Sequence, residues 1–268
     1  MTWVAWRQQR AEVVLGALFL AVLAALFDPT GLHMSGAYET DGAAACVTAP
    51  GGSCAALLDA FDARFSPIIG VTGWFAFLPV VIAVIFAAPF VLELERGTYR
   101  LAWTQSITRR RWLASKLTIA LGGAAASAAI TALLLTWWRR TLDNFHGRIE
   151  PGAFQLEGIA PIAYAVFAAA LIIALGTVLR RTIAAIAIGV VAFLVVRVVI
   201  ESLVRPHFAS TLEAQEGMNL DTAWVVDGRM YHPSSRFWEF QLIETGIYLV
   251  LTLALLGLVA WWVDRRVS

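Results

Sequence analysis

Few side chains of this sequence are placed to do chemistry, and the most telling are charges set in apolar company. Arg197 and Glu201 lie four residues apart within one apolar run, and Glu244 lies near the start of another. A charge at the centre of a bilayer costs about 2.5–3.5 kcal/mol or more, so such groups are rarely idle. The spacing of four puts Arg197 and Glu201 on one helix face, where each can neutralise the other. They are candidates for a substrate path or a moving helix interface. The alternative is a static ion pair, with Glu244 reaching back to the outer interface. Three ionisable groups with no relay between them do not favour a proton-coupled carrier.

Catalysis is poorly served. His33, His146, His207 and His232 stand apart from one another between the apolar runs, where they read as solvated loop residues. Neither an H-E-x-x-H nor a G-x-S-x-G pattern occurs. His207 with Glu213 and Glu216 could hold a cation weakly, but that spacing fits no site geometry, and no metal is assigned. Lys116 is the only lysine, and it sits in Ala114-Ser115-Lys116-Leu117 without the glycines before it or the Ser/Thr after it that a phosphate-binding loop needs. The chain therefore carries no P-loop. It reads as a protein that is not itself an enzyme, without catalytic residues or a bound cofactor of its own.

The elements that carry these residues read as membrane spans. At 59% hydrophobic and 15% charged, the chain departs from the roughly 45–50% and 25% of soluble proteins. That composition excludes a soluble enzyme, a nucleic-acid-binding module and a disordered chain. Six runs approach or reach the roughly 20 apolar residues that cross a bilayer: 11–27, 68–92, 117–138, 159–179, 183–204 and 242–263. The expected fold is an all-α integral membrane protein, a single transmembrane domain over 1–268. The first run is short and follows Arg7 and Arg10, as a signal peptide would, but it lacks a clear small-residue cleavage site and passes into Asp28-Pro29; a retained span is expected. Before it, Trp3, Trp6, Arg7 and Arg10 suit a short interfacial helix.

Basic residues set the orientation. With the N-terminus inside, twelve Arg and Lys fall in cytoplasmic pieces and seven in outer loops, Arg197 lying within a span. Both termini are expected in the cytoplasm, with the protein multi-pass in the plasma membrane. Cys46 and Cys54 then share the first outer loop with seven residues between them, where an oxidising exterior allows a disulfide; the alternative is two free thiols. The turn 180–182 makes the fourth and fifth spans a tight hairpin. The long outer segment of about 205–241 contains scattered apolar residues and is expected to pack on or dip into the outer leaflet. Small residues at 122–127 allow close packing of the third span, within the chain or across a dimer seam.

The stretch 93–116 is the most informative. It opens with Glu93 and Glu95 at the inner end of the second span, breaks at Gly97, continues through a short amphipathic piece and closes on Arg109-Arg110-Arg111. On residues alone it is either an interfacial helix drawn to anionic membrane lipid, at about 1 kcal/mol per arginine, or a handle for a cytosolic partner. Here the sequence resembles the permease subunits of ABC-2-type exporters, particularly actinobacterial ones. Glu95-Arg96-Gly97-Thr98 matches the opening of their signature, Arg100-Leu101-Ala102-Trp103-Thr104-Gln105-Ser106 the middle, and Thr108-Arg109-Arg110-Arg111-Trp112 with Lys116 the close. The N-terminal Trp3-x-x-Trp6-Arg7-Gln8-Gln9-Arg10 is similar to the start of such proteins, and the six-span layout extends the likeness over most of the chain.

The resemblance implies a coupling helix after the second span that docks in a groove of a separate cytosolic P-loop ATPase, with ATP and Mg held on that partner. Carried over by position, Glu95, Gly97, Thr98, Arg100 and Gln105 are the expected coupling residues. It also implies a second permease subunit, identical or closely related, and outward movement of an amphipathic drug, antibiotic, peptide or lipid. A membrane scaffold or sensor anchor that recruits cytosolic proteins and transports nothing is the rival expectation. A channel ranks behind both, since no span shows a continuous polar face.

Overall fold

The computed structural model, which describes residues 2–48, 54–99 and 108–266, is a helical membrane protein organised around one buried helix. The chain runs through α1 (Thr2–Thr40), α2 (Ala43–Thr48), α3 (Cys54–Val71), a 3-10 stretch (Thr72–Phe77), α4 (Leu78–Arg96) and α5 (Arg109–Arg139). The short α6 (Asp143–His146) and α7 (Pro151–Phe154) precede α8 (Ala160–Leu179), α9 (Thr182–Val199) and α10 (Phe237–Arg266). Six helical rods among these are long and apolar enough to span a bilayer, starting at Glu12, Cys54, Arg109, Ala160, Thr182 and Ser234.

The centre is α8. A helix that is apolar all round has no face to offer water and is buried, and α8 packs against α4, α5, α9 and α10. Its alanines and Gly176 carry so little side chain that neighbouring backbones close in, the usual means of helix association in lipid. At Gly176 a Cβ would stand 2.4 Å from a methyl of Val91 on α4. Arg180 ends the helix in the left-handed region at φ 52°, donating its N–H to Gly176 O at 2.8 Å, and the chain turns at once into α9.

Three boundaries depart from the expectation. Residues 2–9 form no separate interfacial helix; α1 is continuous from Thr2 to Thr40 and carries Pro29 inside it. At 1.5 Å per residue its 39 residues measure about 58 Å, against roughly 30 Å of hydrocarbon. The second rod likewise begins at Cys54 rather than 68. The connection between the first two rods is therefore mostly helix. The end of α1 and α3 pack through Phe27, Met34, Phe61 and Phe65, with Arg64 bonding Asp41 at 2.9 Å. Cys46 and Cys54 are joined as a disulfide near the tip. The segment after α9, read from sequence as apolar packing without placed helices, contains a three-stranded antiparallel sheet: β1 (Leu212–Glu213), β2 (Trp224–Asp227) and β3 (Met230–His232), in the order β1-β3-β2.

Between α5 and α8 the chain reverses through a polar knot. Gln241 of α10 accepts from the N–H groups of Ile159 and Ala160 at 3.0 and 2.8 Å and donates to the carbonyls of Phe154 and Glu157. It thus caps the first turn of α8, whose leading N–H groups have no partner within the helix. Gly158, at φ 75°, lets the backbone pass this amide, which a Cβ would meet at 2.7 Å. Beside it, Glu157 is fully buried and takes Arg139 Nε at 2.9 Å and Arg148 Nε at 2.8 Å. Asp143 lies 3.5 Å from Arg139 and 3.7 Å from Arg148. Burial first, and the Glu157 charge second, push the Asp143 carboxyl up to about 8, the two arginines acting the other way.

Two outcomes follow from this packing. Gly176→Ala drives a methyl into β-branched Val91 and is expected to cost about 1–3 kcal/mol, with Gly176→Leu costing more, read as a fall in melting temperature in detergent. Wild-type melting of both variants would show that α4 and α8 do not meet there. For Asp143, the folded carboxyl holds a proton between about pH 4 and 8 that the unfolded one releases, so its contribution to stability falls as pH rises through that window and is flat above it. The wild-type chain is expected to melt a few degrees higher at pH 6 than at pH 8. Asp143→Asn, neutral throughout, removes that part of the difference; an unchanged profile would refute the shifted carboxyl.

Candidate functional site

A carboxylate can stay charged among apolar helices only if donors surround it. Glu244 of α10, 1% exposed, meets that requirement. Arg205 grips it with two parallel bonds, Nε to Oε2 at 2.7 Å and Nη2 to Oε1 at 2.8 Å, the strong fork geometry of arginine with a carboxylate. The Tyr164 hydroxyl of α8 donates to Oε1. Glu244 therefore does not reach for the outer interface; it is turned inward and ties α8 and α10 to the segment after α9.

Arg197 extends the array. Its Nη2 donates to Gln155 Oε1 at 2.7 Å, and its guanidinium lies 4.0 Å from the centre of the Tyr164 ring. Glu201, one turn on, is 3.6 Å from Arg197 and 3.9 Å from Arg205. So Arg197 faces Glu201 and Gln155 rather than Glu244, and the expected pair is a link in a chain of four charges. From sequence, Arg205 falls at the start of the outer segment 205–241 and counts among the seven outer-loop basic residues. The signal that could have placed it was its position four residues beyond Glu201, continuing the series 197, 201, 205 along one face. Tyr164 and Gln155 carried no such signal.

A further correction concerns His232. It is not solvated but fully buried, its ring packed between Trp224 and Phe240 and its Nε2 at 3.1 Å from Pro206 O. Burial holds the imidazole below its ordinary pKa. His146 pairs with Asp62 at 2.8 Å, and His33 Nε2 lies 3.2 Å from Arg64. His207 forms no cluster with Glu213 and Glu216; among the described residues no three potential ligands are grouped for a metal.

At the other end of the bundle, where the two termini lie, the expected coupling segment has well-held stems. Gly97 caps α4 at φ 71°, a conformation that suits glycine, with its N–H on Leu94 O at 3.3 Å. The Thr98 hydroxyl reaches Glu93 O at 3.4 Å. Glu95 Oε2 accepts the Thr182 N–H at 2.9 Å and the Thr182 hydroxyl, so this carboxylate caps the first turn of α9 from another helix. Lys116 of α5 pairs with Glu93 at 2.6 Å, and Trp112 Nε1 donates to the same carboxylate at 3.2 Å while stacking on Phe90. The sole lysine is thus an internal latch. On the far stem Thr108 caps α5 by accepting the Arg111 N–H. Arg100 and Gln105 lie outside the described residues.

No curated protein and no solved structure matches the chain. A sequence family does. The family described as ABC-2 membrane transporter related matches residues 17–205, a stretch that takes in most of the first and fifth rods, the whole of the three between them, the stems of the 97–108 segment and the Arg197–Glu201–Arg205 series. With most of its length so matched, this chain belongs to the ABC-2 membrane transporter related family, as a multi-pass permease component of an ABC transporter.

Proposed function

We propose that this permease serves an exporter that moves an amphipathic compound, a drug, antibiotic, peptide or lipid, out of the cell, driven by a separate cytosolic ATPase that binds ATP and Mg. In this reading both termini and the 97–108 segment face the cytosol. The observation that carries it is the brace between Glu95 and Thr182. A push on the segment that leaves Gly97 passes through Glu95 to the start of α9, and α9 ends at Arg197 and the buried charges. Glu95 then transmits the motion, while Gly97 and Thr98 set the exit of the segment, and Arg100 and Gln105 are proposed as contacts on the ATPase itself.

The pathway is proposed to lie between two permease chains, identical or closely related. The apolar cavity bounded by α4, α5 and the start of α8 holds about 20 Å³, room for a water molecule and not for an amphiphile. Long apolar faces of α1, α9 and α10, with Leu18, Val22, Val191, Val195, Leu249 and Leu253 exposed, are available for lipid and for the second chain.

Two measurements test this. Purification of the intact chain in mild detergent is expected to bring down a P-loop ATPase in equal amount; a stable complex without one would support the scaffold reading instead. In the reconstituted complex, Glu95→Ala and Gly97→Pro are expected to leave the protein in the membrane yet cut transport-linked ATP hydrolysis by about tenfold or more, the scale of a coupling energy of about 1–3 kcal/mol. Unchanged hydrolysis in both variants would remove the coupling assignment.

A further inference from the structure

The four-charge array is unevenly satisfied. Glu244 takes two of the Arg205 nitrogens and the Tyr164 hydroxyl, and its bonding is complete in the plane of the fork. Glu201 is different. It approaches Arg197 only to 3.6 Å and Arg205 only to 3.9 Å, and among the described residues no donor reaches it at hydrogen-bond distance. The two arginines beside it are 5% and 0% exposed, whereas Glu201 is 32% exposed. Nη1 of Arg197 and Nη1 of Arg205 are both buried with no hydrogen-bond partner. Two buried arginines, each with an unpartnered Nη1, and a loosely placed, part-exposed carboxylate that Arg197 meets through Nη2 and Arg205 through Nη1 form an unfinished anion site, because a buried guanidinium N–H left without an acceptor is costly.

The backbone at this point is irregular. Residues Ile200–Val204 form a π turn, a feature that is rare and concentrates at functional positions. The wider turn brings Arg205 inward to full burial while Leu203 and Val204 remain on the outside of the bundle at 65% and 37% exposure. Glu201 sits at the seam between these two environments, so its side chain has a way out that the arginines lack.

We propose that Arg197 and Arg205 form a receiving site for the acidic headgroup, phosphate or carboxylate, of an amphiphile, and that Glu201 is its displaceable resident. When the headgroup enters, its oxygens take the free Nη1 donors and the Glu201 carboxylate swings outward. With Arg205 already balanced by Glu244, the charge left for the ligand is that of Arg197, which suits a singly charged headgroup. The site deepens the exporter reading, on which its meaning as a cargo site rests, but binding itself needs no ATPase.

The test compares the intact wild-type chain with Glu201→Gln in phosphatidylcholine nanodiscs containing a small fraction of phosphatidylglycerol, with retained lipid counted by native mass spectrometry. A second arm titrates inorganic phosphate into the same proteins in pure phosphatidylcholine. Removing the competing charge is expected to tighten anion binding by roughly tenfold, a modest figure because Glu201 is held only at 3.6 and 3.9 Å from the two arginines. Glu201→Ala is expected to act in the same direction, and adding Arg197→Gln to abolish the gain. Tightening in the phosphatidylglycerol arm alone assigns an amphiphile headgroup; tightening with phosphate alone assigns a free anion and overturns the amphiphile. Equal binding by wild type, Glu201→Gln and Glu201→Ala in both arms overturns the site, as does a gain that survives Arg197→Gln. A failed site leaves the exporter reading standing, and absence of a copurifying ATPase leaves the site standing.

Discussion

The buried carboxylate of Glu244 is the constraint to which much of this molecule answers. In an apolar bundle its desolvated oxygens must find donors, and these come from two other parts of the chain, Arg205 and Tyr164. Those bonds are directional, unlike the alkyl contacts around them, so they fix how α8, α10 and the end of α9 are rotated against one another. Lipid offers no hydrophobic reward for helix association, which raises the relative weight of polar bonds and of close backbone packing in specifying the bundle. Gln241, one turn before Glu244 on α10, adds a second directional contact at the head of α8. Together they make α10 a spine on which the central helix is registered.

This arrangement divides the molecule mechanically. The helices α4 and α8 are packed through small residues and rings, whereas α1, α9 and α10 present most of their surface outward. The outward helices carry the features that suit motion: α9 begins at the Glu95 brace, ends in a π turn and bears the loosely held Glu201. A helix tied at both ends by polar contacts and free along its side can shift as a rod without dismantling the core.

How much of this the sequence revealed follows from the range of each interaction. Apolar runs are local, so the six rods, the tight turn at 180–182 and the placement of Arg197 and Glu201 on one face were legible. The extent of α1 and α3 was not, since hydropathy marks where hydrocarbon ends and not where a helix ends. From sequence, His232 and the charges of the loops read as solvated, because a charged or imidazole side chain outside an apolar run defaults to solvent, and nothing marks Arg139, Glu157 or Arg205 for burial. What buries them are partners 18 to 39 residues away, as in Arg139 with Glu157 and Arg205 with Glu244, or a small sheet whose strands are only two to four residues long. No periodicity announces such pairings. The stems of the 97–108 segment were legible as a motif, but the use of Glu95 as a cap for another helix was not.

The cap that Gln241 places on α8 also has a meaning in time. Ile159 and Ala160 emerge from the ribosome 82 and 81 residues ahead of the amide that satisfies them. At about 5–20 residues per second, that interval lasts roughly 4–16 s. During it the most enclosed helix of the protein exists with its leading amides bare and one flank uncovered. The central helix is therefore made well before it is completed, and the quality of the finished core waits on the arrival of α10.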